Sequence, residues 1–380
     1  MTILLVDDNR VNLYVIEKIL KADGYQDYVS LQSAKELFQY LDPTNAPHCN
    51  EVDVILLDVM MPEMDGIEAC RILKENLRLK DIQVIFVTAL EDKEKLSEAL
   101  DVGGIDYITK PINKVELLAR LRVAVRLKSE LDWHTNQEKN IQRELNLAAR
   151  VQQSLLSSPV QQNDLSITAS YLPSFNLAGD LYYWDKIDDH RYAVILLDMM
   201  GHGVSASLVC MYISSVLREA IKKLVDPELV IAELNRYMSL LQNENDSLLY
   251  YFTGVCFIID TQKKTVEYVN AGHPTGYALV DGQQTVPITQ TSYAVGFFEK
   301  IKIEKEIIHY TDSIQIVLFT DGVLEAMGPC EITSDIELRK IASDMWAKDR
   351  PPIDYLVDKD LQLNQPDDMC VLLLQAVDLE

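Results

Sequence analysis

Five short apolar runs in the first third of the chain, each followed by a segment of helical pattern, constrain its fold more than any other feature. They read ILLV, YVSL, VDVILLD, QVIFVTA and DYIT, between residue 2 and about residue 126. Apolar runs that alternate with helix-length segments fit a parallel sheet covered by helices on both faces. Such sheets bind their ligands at the carboxyl ends of the strands. There the sequence places its unusual polar residues: Asp7 and Asp8 after the first run, Asp58 after the third, Thr88 after the fourth and Lys110 after the fifth.

Three gathered carboxylates repel one another and stay ionised only beside a cation. All-oxygen ligation suits Mg²⁺. One carboxylate can then attack a phosphoryl group and become an aspartyl phosphate. Lys110 would neutralise the phosphoryl oxygens, and the Thr88 hydroxyl could donate to one of them. Loop or helix capping explains any one of these acids well, and all five polar positions together poorly. Residues 1–125 resemble the receiver domain of bacterial two-component response regulators, through LLVDDN, LLDVMMPEMDG, VTA and DYITKPI. The resemblance implies a flavodoxin-like, doubly wound α/β fold with Asp58 as phosphoacceptor. It implies Mg²⁺ held by Asp8, Asp58 and the Met60 carbonyl, with Asp7 acting through water. Thr88, Tyr107 and Lys110 would be the switch residues, and a histidine kinase the partner.

At 380 residues the chain is long enough for two domains. A formal charge of −24 argues against nucleic acid and against an anionic membrane surface. No apolar run reaches membrane-spanning length, and MTILLVDDN meets acid too early for a secretory signal. Six dispersed cysteines without a CxxC pair read as reduced thiols of a cytoplasmic protein.

Residues 126–158 read as a helical linker, within a stretch from Lys114 that lacks glycine and proline until Pro159. Ile141, Leu145, Ala148, Gln152 and Leu155 follow the 4-3 spacing of a coiled-coil seam, which would support a homodimer. The seam is short, contains Gln152 and is broken by DWHTNQEKN. An amphipathic helix docked on its own chain is the competing reading.

From 159 to 380 strand-like runs outnumber helical ones, and strict alternation is lost. LSITASYL, YAVILLD, YFTGVCFIID, TVEYVN, GYALV, IQIVLFTD and MCVLLLQA read as strands; 204–224, 227–241 and 335–346 read as helices. Two packed sheets flanked by helices fit this order. Asp180, Asp198, Asp321 and Asp367 or Asp368 lie at strand ends or turns, each beside glycine or another acid. Without a His/Cys cluster they suit Mg²⁺ or Mn²⁺. Two such ions can bridge a water, lower its pKa and hold it in line with phosphorus.

The stretch resembles the SpoIIE/RsbU branch of the metal-dependent PPM serine/threonine phosphatases. The resemblance runs from about residue 145 through LAARVQQSLLSSP, AGD, DMMGHGVSA, NAGHP, TDGVLEA and DDM. It implies an αββα sandwich and two Mn²⁺ or Mg²⁺ held by Asp180, Asp198, Asp321, Asp367 and the Met199 carbonyl, with Asp198 bridging. The implied substrate is a phosphoserine or phosphothreonine on an anti-sigma-factor antagonist. Ala178 replaces the family's usual glycine, and fits only where the backbone needs no positive φ. Tyr183 stands where another acid is common, and Met199-Met200 replace Val-Ser. The four acids are retained, so an active enzyme is expected; a non-catalytic adaptor that grips a regulatory partner is the alternative. His273 and Glu325 read as structural, and His202 as a poor leaving-group acid.

Overall fold

The computed structural model describes residues 1–42, 52–89, 93–241, 250–327, 350–363, 365 and 367–378. The expected helix at 335–346, Cys49 and Cys330 lie outside these residues. The chain divides into two compact units, Met1–Ile141 and Gln142–Glu380.

In the first unit β1 (Thr2–Val6), α1 (Arg10–Ala22), β2 (Tyr28–Leu31), α2 (Ala34–Leu41) and β3 (Val52–Asp58) come first. Then follow α3 (Gly66–Glu75), β4 (Gln83–Thr88), α4 (Lys93–Asp101), β5 (Asp106–Thr109) and α5 (Lys114–Gln153). The strands form one parallel sheet in the order β2-β1-β3-β4-β5. Alternate residues of each strand enter opposite cores. Leu4, Ile55, Leu57 and Phe86 pack with Leu37, Cys70 and Leu73, whereas Ile3, Leu5, Leu56 and Ile85 pack with Leu13, Ile16, Leu117 and Leu121. Helix starts are set by side-chain caps: Asn9 accepts from the Val11 N–H, Asp65 from Glu68, and Asn113 from Val115 and Glu116. This is the doubly wound receiver fold. Helix α5 runs unbroken through DWHTNQEKN, so the apolar seam is interrupted there while the helix continues.

The second unit contains β6 (Val160–Gln161), β7 (Leu165–Leu172), β8 (Leu181–Lys186), β9 (Arg191–Met199), α6 (Val204–Leu224) and α7 (Pro227–Leu241). It continues with β10 (Phe252–Asp260), β11 (Thr265–Ala271), β12 (Gly276–Val280), β13 (Gln284–Ile288) and β14 (Glu306–His309). It closes with β15 (Ser313–Phe319), α8 (Asp321–Met327) and β16 (Met369–Val377). Two antiparallel sheets, β14-β11-β10-β9-β8 and β13-β12-β15-β16-β7-β6, face each other. Strand β9 shows why its run is apolar throughout. Tyr192, Val194 and Leu196 point between the sheets, while Ala193, Ile195, Leu197 and Met199 point at α6 and α7. Beneath the other sheet Val323 of α8 joins Ile353 and Val357. The result is the αββα sandwich.

Helix α6 is long and apolar enough to cross a membrane by length and composition, which corrects the expectation that no run reaches that length. Its Cys210, Ile213, Leu217 and Ile221 are buried against the sheet and α7, so its apolar character belongs to the protein core.

Candidate functional sites

In the first unit Asp7 and Asp58 are buried at the ends of β1 and β3, Asp8 is exposed, and one carboxylate oxygen from each of the three lies within 4.8 Å of the others. Lys110 places its Nζ 2.9 Å from Oδ2 of both Asp7 and Asp58. The Lys110 N–H donates to the carbonyl of the buried Thr88 at 2.8 Å, which ties β4 to the lysine. The Asp58 Oδ1 accepts from the Met60 N–H, while the Met60 side chain is exposed. Tyr107 is half-buried, with the Arg120 guanidinium 5.7 Å above its ring. Burial raises the Asp58 pKa, more than its hydrogen bond with Lys110 lowers it. At Lys110 burial is instead outweighed by hydrogen bonds to both acids, and its pKa is raised. Sequence reasoning missed Asn9 and Asn12, whose backbone and side-chain N–H groups respectively orient the Asp7 carboxylate.

In the second unit four separate segments bring their acids together. Asp180 precedes β8, Asp198 lies at the end of β9, Asp321 opens α8, and Asp367 and Asp368 precede β16. Asp180 is fully buried; its pKa is raised by burial first, then by the charges of Asp198 and Asp368. Asp198 is pushed up to about 8 by burial and then by Asp321, with which it shares a hydrogen bond. Buried carboxylates that destabilise one another in this way fit a site for hard divalent cations. Among the described residues only the Asp7, Asp8 and Asp58 triad falls within a single 4.8 Å span, so the second cluster is spread more widely.

Backbone contacts shape this cluster. The Thr320 hydroxyl donates to Asp180 Oδ2 at 2.8 Å and accepts from the Cys370 N–H at 2.9 Å. Asp368 Oδ1 accepts from both the N–H and the hydroxyl of Ser174, and Oδ2 accepts from the Gly179 N–H at 2.7 Å. Asp368 is thus held by three protein hydrogen bonds, whereas the half-buried Asp367 accepts one, from the Asp368 N–H, and both add to the charge felt by Asp198. Two glycines permit close approach: a Cβ on Gly179 would lie 3.1 Å from the Met199 carbonyl, and one on Gly322 would lie 2.2 Å from the Asp368 carbonyl. Ala178 is not among the positive-φ residues, which is why alanine is accommodated there.

The turn after Met199 uses Gly201 and Gly203 at φ 78° and 82° to enter α6. His202 is exposed and stacks on Phe175 with ring centres 4.9 Å apart. His273 is buried, its Nδ1 lies 3.0 Å from the Thr253 hydroxyl, and burial lowers its pKa to about 3. Thr253 is the register partner of Asp198, so His273 supports the strand beside the acids. Tyr183 donates its hydroxyl to Asp185, which also pairs with Lys222. Glu325 is exposed on α8.

Fold and site together define a receiver domain followed by a PP2C-type phosphatase domain. The receiver-domain family model matches residues 3–122, and the model for stage II sporulation protein E (SpoIIE) matches residues 188–377, half of the chain. The chain belongs to the SpoIIE family. It is 35% identical over 192 residues to the phosphoserine phosphatase RsbP of Bacillus subtilis (strain 168), covering 50% of this chain and 47% of that protein. It is 40% identical over 122 residues to the transcriptional regulatory protein YvrH of the same organism, covering 32% of this chain and 47% of that one. The chain thus spans about half the length of the curated relatives it matches. The solved SiaA-PP2C domain of Pseudomonas aeruginosa superposes with a TM-score of 0.50 at 18% identity, over 64% of this chain and 99% of that domain. That likeness is one of fold.

Proposed function

We propose that the chain is a cytoplasmic response regulator whose output is metal-dependent dephosphorylation of a regulatory phosphoprotein. The observation that carries this reading is the convergence of acids from four segments, with Asp180 and Asp198 both raised by burial and by neighbouring acids. The similarity to a phosphoserine phosphatase supports phosphoserine or phosphothreonine as the target. An anti-sigma-factor antagonist is the proposed substrate class.

Asp180, Asp198, Asp321, Asp367 and the Met199 carbonyl would hold two Mn²⁺ or Mg²⁺, with Asp198 between them. Such ions supply a water of lowered pKa and charge stabilisation for the phosphoryl group. The chain's own part is to keep the acids in place. Thr320 fixes one oxygen of Asp180, and Asp368 fastens the loop that carries Asp180.

In the receiver unit Asp58 would accept a phosphoryl group from a histidine kinase, with Mg²⁺ on Asp8, Asp58, the Met60 carbonyl and, through water, Asp7. Lys110 stands ready to neutralise the added charge. Thr88, Tyr107 and Lys110 would report the change, and α5 would carry it onward, either within one chain or through a homodimer of the linker. Domain limits of 1–125, 126–158 and 159–380 belong to the same proposal.

Purified protein with Mn²⁺ should release phosphate from a phosphoserine-bearing antagonist protein, and Asp321→Asn should lose nearly all of that activity. Tight binding of the phosphoprotein with no release at any Mn²⁺ concentration would replace the enzyme with an adaptor.

A further inference from the structure

Gln152 is a polar residue in an otherwise apolar seam, and it is 2% exposed. Its carboxamide is matched to a single residue's backbone. Nε2 donates to the Ala178 carbonyl at 2.6 Å, and Oε1 accepts from the Ala178 N–H at 3.1 Å. Both ends of a side-chain amide on one residue's main chain fix its position and its orientation.

That residue opens the sequence Ala178-Gly179-Asp180. Gly179 donates to Asp368, and the Asp180 carboxylate is held by Thr320. The Asp180 carbonyl accepts from the Tyr171 hydroxyl at 3.3 Å. Within this network Thr320, Tyr171 and Asp368 all come from the sheet strands or their ends, whereas Gln152 alone comes from α5. The loop's other hydrogen bond to α5, from Asn176 Nδ2 to Asn146 Oδ1, lies on the surface.

We infer that Gln152 is a positioning residue for the carboxylate site: the α5 amide holds Ala178, and Ala178 sets where Asp180 stands beside Asp198. The assignment rests on the phosphatase reading above and deepens it by naming the helix residue on which the site's geometry depends. A polar group of this kind supports a metal site as a hydrogen-bonded partner behind the ligands does, and loss of such partners weakens metal affinity roughly 10- to 100-fold.

The test compares the full chain with Gln152→Met, which keeps length and loses both bonds, and Gln152→Asn, which keeps the amide and loses reach. Asn146→Ala is the control. Mn²⁺ affinity is read by titration calorimetry, the folded state by thermal unfolding without metal, and turnover by phosphate release across Mn²⁺ concentrations. Both Gln152 variants should bind Mn²⁺ roughly 10- to 100-fold more weakly, with KM for the phosphoprotein unchanged at saturating Mn²⁺ and the control at wild-type values. A folded Gln152 variant with wild-type Mn²⁺ affinity overturns the assignment, even if its thermal midpoint falls. If the wild type binds Mn²⁺ yet releases no phosphate, the phosphatase reading fails, and calorimetry still decides the role of Gln152.

Discussion

Gly322 lies so close to Asp368 that a Cβ on the glycine would stand 2.2 Å from the aspartate's carbonyl oxygen. The neighbour is main chain and cannot rotate away. Gly322→Ala must therefore shift the Asp368–Met369 peptide, at a cost of about 1–3 kcal/mol for forced overpacking. The variant should melt earlier and bind Mn²⁺ more weakly. Wild-type values in both measurements would mean that the peptide is not held where it is described.

The adjacent acids Asp367 and Asp368 should respond differently to the same substitution. Asp368 accepts three hydrogen bonds, two from Ser174 and one from Gly179. An asparagine there turns an amide toward one of those donors, and hydrogen bonds to a charged group are worth about 1.5–3 kcal/mol each. Asp368→Asn should lower the denaturant midpoint of the metal-free chain. Asp367→Asn should leave that midpoint nearly unchanged and weaken Mn²⁺ binding. The reverse assignment of effects would make Asp368 the ligand.

In the receiver unit Lys110→Ala would leave Asp7 and Asp58 buried with their shared cation gone. Breaking a buried pair by removing one partner costs roughly 3–5 kcal/mol. Because Lys110 keeps some exposure, the lower end of that range is expected. Urea unfolding followed with and without Mg²⁺ should show a loss that the ion partly restores. An unchanged midpoint without Mg²⁺ would refute the ion pair.

Stability of the metal-free phosphatase unit should depend on pH through Asp198, whose pKa rises from 3.8 to about 8 on folding. The folded state binds the extra proton, so this contribution is present below the unfolded value and is lost as pH rises through about 8. Thermal midpoints should fall across that window, and Mn²⁺ should raise them more at the alkaline end. Asp198→Asn should flatten the slope. A metal-free midpoint that climbs with pH would contradict the sign.

The parts of the fold that were legible in the sequence are those whose residues are buried on two sides. Strands β3, β9, β10 and β16 announce themselves because alternate residues enter different cores. Strands β8, β13 and β14 escaped notice: LYYWDK mixes aromatic and charged residues, and EIIH offers one buried position. The acids were found because each sits beside a turn residue, yet Asp367 and Asp368 look alike in one dimension. Their difference is made by Ser174 and Gly179, which approach from nearly two hundred residues away. The 4-3 seam of α5 told only part of its story. Ile141 is exposed, whereas Gln152, its polar member, is buried on Ala178.

The measurement that bears most directly on the whole account is phosphate release from a phosphoserine antagonist protein, with Mn²⁺, before and after Asp58 is phosphorylated by acetyl phosphate. Asp58→Ala and Asp321→Asn run alongside. The account predicts a release rate that changes on phosphorylation, no such change in Asp58→Ala, and almost no release by Asp321→Asn. Release that proceeds equally in Asp321→Asn, or that ignores the state of Asp58, would contradict it.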